Sequence, residues 1–239
     1  MCTVMINIAE DGVARLLAVR DENPAREWDA LGEWWPERYP NVVGIRDRRA
    51  GGAWLAADAS TRRLAVLLNR ADTLGLPEAE VRSRGALVLE SVAGRSPEGS
   101  QRVHGFNLLE VNPAGARVIS WNGETLSETP VSAGTHMIAH DDLDDPRTPR
   151  IAHWLPRFRE MAAAAATNTP DAAATPWWTP WVDLLAESTA LSIDDDRAII
   201  RDNRTLGYST VLLLYAVAEV SSHGVTMRDH ELPAPGCWG

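Results

Sequence analysis

The chain has 239 residues, of which 45% are hydrophobic and 23% charged, a balance typical of a folded globular protein rather than a disordered one. Its formal net charge is -10, with 23 arginines, no lysine and no basic stripe, which argues against a nucleic-acid partner. It lacks a signal-peptide pattern and any apolar run of roughly 20 residues, so we expect a cytoplasmic protein without an integral membrane segment.

The first predicted element is a β-hairpin. The runs CTVMINIA and VARLLAVR are rich in β-branched and apolar residues, and the polar turn EDG separates them. A two-residue turn at Asp11 and Gly12 would set Cys2 opposite Asp21, with Arg20 one step away. The hairpin therefore predicts that a thiol, a guanidinium and a carboxylate lie close together.

Six further segments are predicted between residues 51 and 140. GGAWLAAD and RLAVLLNR form a second hairpin that ends at Asn69, and SRGALVLESVA is a helix capped by Ser83. GFNLLEV and ARVISW read as strands followed by an Asn-Gly hairpin turn at residues 122–123. We expect THMIAH to continue the same sheet.

The pattern changes to helical spacing at Pro149. Apolar residues from Ile151 to Met161 fall on one face, and Pro156 is expected to kink or restart the helix. TNTPDAAATP is a predicted loop, WWTPWVDLLAES a second helix, and STVLLLYAVAEV and VTMRDHEL are closing strands. We expect one α+β domain over residues 1–239, with a helical block at about 149–190.

Cys2 has the chemistry of an N-terminal nucleophile once Met1 is removed. The α-amine of an N-terminal cysteine has a pKa near 7.7 to 8.0, so it can accept the thiol proton. Arg20 would favour the thiolate, Asp21 would hold the amine, and the Asn69 amide would bind the oxyanion. The alternative is a small buried side chain beside an ordinary ion pair.

The segments MCTV, VRDEN, GIRD, GGAWLAAD, LLNR, SRGALV, GFNLL and GYSTVLLL occur in the order seen in the NRDE family. The chain therefore resembles this family, also called the Transport and Golgi organisation family. The resemblance implies a four-layer αββα sandwich of the N-terminal nucleophile hydrolase type, similar at the active end to choloylglycine hydrolases and penicillin V acylases. It implies that Cys2 is the catalytic nucleophile, with Arg20 and Asp21 beside it, whereas the catalytic assignment of Asn69 rests on its place at the end of an adjacent predicted strand.

The chain departs from the family pattern at three places. Val19 replaces the first asparagine of the naming tetrapeptide, Ala53 replaces a threonine, and Ala139-His140 replaces a later Ser-Asn pair. In the similar hydrolases a downstream asparagine helps to bind the oxyanion, so His140 would have to take its place. We assign His140, Trp54 and Asn107 to substrate binding, and a second active-site arginine stays open between Arg201 and Arg204.

The favoured function is an amidohydrolase that cleaves a non-peptide C–N bond of an acylated small molecule through an acyl-enzyme on Cys2. The alternatives are a non-catalytic lipid or haem binding or trafficking protein on the same fold, and an ordinary interaction domain. No cofactor is expected, and His136 and His140 are too far apart on a strand to share a metal ion. Cys237 is expected to be incidental, and the oligomeric state is open.

Overall fold

The computed structural model describes residues 2–167, 175–207 and 209–238, which form two antiparallel sheets and three α-helices. The strands in chain order are β1 (Thr3–Ile8), β2 (Ala14–Glu22), β3 (Trp28–Gly32), β4 (Val42–Asp47), β5 (Ala53–Asp58), β6 (Arg63–Asn69), β7 (Phe106–Asn112), β8 (Gly115–Trp121), β9 (Leu126–Val131), β10 (Gly134–Ile138), β11 (Val211–Ser221) and β12 (Gly224–Glu231). The helices are α1 (Gly85–Val92), α2 (Pro149–Thr167) and α3 (Thr179–Ala186). Short 3-10 helices cover Glu78–Glu80, Glu187–Ala190 and Asn203–Leu206.

The two sheets are a five-stranded sheet in the order β10-β1-β2-β11-β12 and a seven-stranded sheet that runs from β3 to β9 in chain order. A first core, which contains Val4, Leu16, Leu55 and Val66, joins their facing surfaces. A second core packs α2 and α3 on the outer face of the five-stranded sheet, and a third packs α1 on the seven-stranded sheet. The sequence prediction of an α+β protein is confirmed.

The first hairpin is confirmed, but its predicted register is wrong by one residue. Thr3 pairs with Val19 and Ile8 with Ala14, so the same register extended by one step sets Cys2 opposite Arg20. The turn has three residues instead of two, because Gly12 adopts a φ of 83° and its N–H donates to the Ala9 carbonyl. Since residues directly opposite each other on two antiparallel strands point to the same face of the sheet, this register puts Cys2 and Arg20 on one face.

The segments between residues 51 and 140 form the predicted elements, with two corrections. Ser83 precedes the N-cap of α1, which is Arg84, and the Ser83 hydroxyl accepts a hydrogen bond from the Gly85 N–H at 3.3 Å. THMIAH supplies β10 as a strand, but β10 pairs with β1 in the five-stranded sheet instead of continuing from β9. The chain crosses between sheets there because the apolar side chains of Met137 and Ile138 fill two different cores.

Two helices, α2 and α3, lie between residues 149 and 190, and α2 does not restart at Pro156. That proline lies inside one continuous helix, on an exposed position where its ring meets solvent. Trp181 is buried in the second core, and Trp177 and Trp178 pack against it, which agrees with a packing role for the tryptophans. Most of the predicted loop TNTPDAAATP lies outside the described residues.

None of the helices within the described ranges is both long and apolar enough to cross a bilayer.

Candidate functional site

A cavity of about 420 Å³ opens where β1 begins and β2 ends. Five of the seven side chains predicted to form a site line it: Cys2, Arg20, Asp21, Trp54 and Asn69. They come from both sheets, because β5 and β6 bring Trp54 and Asn69 to the same end of the molecule as the first hairpin. Packing of the two sheets therefore assembles a site that no single hairpin contains.

The Cys2 thiol is almost enclosed at this cavity, with 7% of the residue exposed. Its Sγ lies 3.7 Å from the backbone carbonyl oxygen of Asp21, a distance at which a thiol can donate a weak hydrogen bond. Burial raises the pKa of the Cys2 thiol; the Asp21 charge acts in the same direction and the Arg20 charge opposes it. The resting side chain is therefore a neutral thiol, which needs a base in order to act as a nucleophile.

Arg20 and Trp54 form the most unusual pair in the cavity wall. Only 3% of Arg20 and 7% of Trp54 are exposed, and the Arg20 Cζ lies 5.7 Å from the centroid of the Trp54 ring. Arg20 Nη2 is 3.6 Å from a Glu22 carboxylate oxygen. Arg20 Nη1 and Trp54 Nε1 are buried and find no hydrogen-bond partner within the described part of the chain. Because such donors are costly to leave unpaired, a ligand oxygen is their natural acceptor.

Asp21 is held from the opposite side by residues that the sequence analysis missed. The Asn203 side chain, 1% exposed, donates from Nδ2 to Asp21 Oδ2 at 3.4 Å and to Thr210 Oγ1 at 3.1 Å. Arg150, also buried, donates from Nη1 to Thr3 Oγ1 at 2.6 Å. These side chains lie more than 120 positions from the first hairpin, so no local signal could have linked them to it.

The structure also separates the two arginines that the sequence left open. Arg201 is 3% exposed and pairs with Asp196 at 2.8 Å, whereas Arg204 is exposed and pairs with Asp202 at 2.5 Å. Arg201 acts electrostatically on His140. Of these two arginines, only Arg201 is a buried positive charge.

His140 and Asn107 are absent from the described lining of the cavity. β10 pairs with β1 and ends at Ile138, so His140 lies in the bend two residues beyond that strand. Burial lowers the pKa of His140; Arg150 and Arg201 act in the same direction, and Asp141 opposes them. His140 thus follows the strand next to β1, and its lowered pKa favours the neutral imidazole.

Asn107 is completely buried, and its side chain makes four hydrogen bonds. Nδ2 donates to the carbonyls of Ala139 and Asp141 at 3.3 and 2.7 Å, and Oδ1 accepts from Ser120 Oγ at 2.7 Å and from Arg70 Nη1 at 3.3 Å. These contacts tie β7 to the segment that follows β10. In this geometry Asn107 positions the backbone around His140.

Two glycines explain why the GGAW and SRGALV segments are needed together. A Cβ on Gly52 would lie 2.4 Å from the Gly85 carbonyl carbon, so the start of α1 approaches β5 in backbone contact. This approach places Arg84 in the cavity wall, where its Nη1 donates to the Gly105 carbonyl at 2.7 Å. Burial lowers the pKa of Arg84, and the charges of Asp72 and Cys2 oppose that effect.

Within the described ranges, no three His, Cys, Asp or Glu side chains lie close enough together to bind a metal ion.

The fold and the site together define an α+β protein whose two sheets enclose, at one end, a charged cavity built around a buried cysteine. A comparison with protein families shows which family it belongs to: the model described as Transport and Golgi organisation 2 matches residues 1–211. The chain belongs to the Transport and Golgi organisation 2 family, as the order of its motifs indicated. A search of curated protein sequences finds no match.

Proposed function

We propose that the chain is a cysteine N-terminal nucleophile hydrolase that cleaves a non-peptide C–N bond in an acylated small molecule. The observation that carries this proposal is that Cys2, Arg20, Asp21 and Asn69 line one cavity. The resemblance to N-terminal nucleophile hydrolases and their αββα sandwich belongs to the same proposal, as does a cytoplasmic location. Two packed sheets with helices outside them are compatible with that sandwich.

In this mechanism, removal of Met1 makes the Cys2 nitrogen a free α-amine beside its own thiol. The neutral thiol passes its proton to this amine while Sγ attacks the amide carbonyl. The oxyanion accepts hydrogen bonds from the unpaired donors Arg20 Nη1 and Trp54 Nε1, and the exposed Asn69 amide supplies a third. The α-ammonium then protonates the leaving amine as the C–N bond breaks.

The second half of the cycle hydrolyses the thioester. Water gives a proton to the α-amine as it attacks the acyl carbon, and that proton returns to Sγ when the carboxylic acid leaves. In this scheme Asp21 orients the α-amine, and Asn203 holds the Asp21 carboxylate in turn. The raised pKa of the thiol fits the scheme, because the mechanism starts from a neutral thiol beside a neutral base.

The experiment compares the wild type with Cys2→Ala and Cys237→Ala on a panel of acyl p-nitroanilides, with intact-mass measurement of each protein. We expect Met1 to be absent, turnover to vanish in Cys2→Ala, and a trapped acyl group to map to Cys2. Cys237 is exposed and distant in sequence, so Cys237→Ala is the matched control and should keep full activity. Turnover that survives Cys2→Ala, or active protein that retains Met1, would contradict the proposal.

The alternative function is non-catalytic binding of a lipid or haem, and measurements on the same purified protein distinguish it from hydrolysis. It predicts lipid or a haem absorbance band in the purified chain and no product from any amide. The cavity beside Cys2 does not favour it, since charged side chains dominate its wall, whereas sites for such ligands are mostly apolar.

A further inference from the structure

The charge around the Cys2 cavity is opposite in sign to that of the whole chain. Acidic residues outnumber basic ones, 33 to 23, in the sequence. Five arginines nevertheless line the cavity: Arg20, Arg26, Arg49, Arg82 and Arg84. They face three acidic side chains, those of Asp21, Glu22 and Asp47. The cavity therefore concentrates positive charge on an otherwise acidic protein.

Two of these acids are already engaged by one arginine. Arg26 contacts the Asp47 carboxylate directly and lies 3.7 Å from Glu22. Glu22 also lies 3.6 Å from Arg20, and Asp21 accepts from Asn203. The acidic side chains of the cavity thus pair with Arg26 and Arg20, and none of them forms an ion pair with the other three arginines.

Arg49, Arg82 and Arg84 are the cavity arginines that form no ion pair within the described ranges. No acidic side chain within the described ranges lies at ion-pair distance from any of them, whereas most arginines elsewhere have such a partner, as Arg15 does in Glu219. Arg49 and Arg82 are exposed at the rim, and Arg84 is partly buried deeper in the wall. Three cations around one opening repel each other, and a bound anion would remove that repulsion.

The buried donors Arg20 Nη1 and Trp54 Nε1 point to a ligand independently of this charge. Both line the same cavity, both residues are more than nine-tenths buried, and neither atom has a partner in the described structure. A ligand that presents an oxygen to these donors and an anionic group to the rim satisfies both features at once. Guanidinium groups are well suited to a carboxylate, which they bind through charge-assisted hydrogen bonds.

We propose that the ligand of this cavity is an anionic N-acyl compound, whose carboxylate binds Arg49, Arg82 and Arg84 while its amide carbonyl lies at Cys2, Arg20 and Trp54. That this ligand is a substrate rests on the proposed function. That it is an anion rests only on the arginines of the cavity. The arginines act as a selectivity filter: a neutral amide of the same shape loses the charge-assisted contacts and binds more weakly.

The test measures binding separately from turnover. Hexanoylglycine and hexanoylglycinamide, which differ by one negative charge, are titrated calorimetrically into the Cys2→Ala protein. We expect the acid to bind at least about tenfold more tightly, with a preference that shrinks as salt is raised. Adding Arg49→Ser and Arg82→Ser together should remove most of that preference. Arg62→Ser and Arg228→Ser together, which also remove two positive charges but from exposed sites outside the cavity lining, should keep it.

Equal affinities for the two compounds, no binding of either at millimolar concentration, or a preference that survives the double substitution would each overturn the inference. Failure of the proposed function has a different signature. The wild type would then cleave no amide, while the Cys2→Ala protein still selected the anion through its rim arginines.

Discussion

Replacing Trp54 with phenylalanine tests whether its indole N–H is truly an unpaired donor. The matched control is Trp121→Phe, because both tryptophans are buried and both changes remove the same atoms. They differ in one respect: Trp121 Nε1 donates to the Val103 carbonyl at 3.0 Å, whereas Trp54 Nε1 has no partner among the described residues. The pair of variants therefore isolates the value of that hydrogen bond.

The expected magnitudes follow from this difference. Both variants lose apolar contact and leave space, a shared cost of about 1 to 3 kcal/mol in the free energy of unfolding. Trp121→Phe also breaks a buried hydrogen bond and strands a carbonyl, which adds about 1 to 3 kcal/mol. Trp54→Phe removes a donor that was already unpaired, so no hydrogen bond is lost. Removing that buried polar group offsets part of the destabilisation that both variants share.

Urea unfolding of the wild type and both variants measures the difference, and acyl p-nitroanilide hydrolysis supplies a second readout. If Trp54 Nε1 binds the oxyanion, kcat should fall about 100-fold in Trp54→Phe and stay unchanged in Trp121→Phe. Trp54→Phe being as destabilising as Trp121→Phe would refute the claim that its N–H is unpaired. An unchanged kcat in an active enzyme would refute its place in the oxyanion site.

Three further predictions concern stability. Asn107→Ala should lower the free energy of unfolding by about 2 to 4 kcal/mol, because four buried hydrogen bonds lose their partner; an unchanged urea midpoint would contradict this. Pro156→Ala should raise the free energy of unfolding by about 1 to 2 kcal/mol, because the alanine N–H restores a helix hydrogen bond at an exposed position. A lower melting temperature would contradict this prediction. Hydrogen bonds from Arg147 lower the pKa of Asp145 to about 2, below its unfolded value near 3.9, so the pair stabilises the fold above that pH and loses this contribution on acidification. Arg147→Ser should therefore lower the free energy of unfolding slightly at neutral pH, with the difference closing between about pH 4 and pH 2 in an acid titration.

The catalytic proposal and the anion inference make different demands on the same cavity. Catalysis requires a processed terminus and a base next to a neutral thiol, which intact mass and the Cys2 variants measure directly. Anion selection requires only that the rim arginines lack acidic partners and that Arg20 and Trp54 keep their donors free for a ligand. A protein that fails the first test and passes the second would be a receptor for an anionic acyl compound.

The sequence by itself determined most of the secondary structure and the family. Apolar and β-branched residues identified both strands of the first hairpin. The apolar runs in GGAWLAAD and RLAVLLNR identified β5 and β6 in the same way. These features are local, because period-2 and period-3.6 patterns are set by the faces of one strand or one helix. The order of the short motifs, which is also a property of the chain alone, placed the protein in its family.

Only the tertiary structure decided the register of the first hairpin, the sheet that β10 joins, and the side chains that surround Cys2. The register depends on Gly12, whose positive φ lengthens the turn by one residue and moves Arg20 to a position opposite Cys2. Arg84 and Asn203 reach the site because α1 packs on one sheet and the segment before β11 packs beside the other. Such contacts join residues far apart in sequence, and the chain selects them by burying apolar faces and pairing polar groups in three dimensions, which no local pattern encodes.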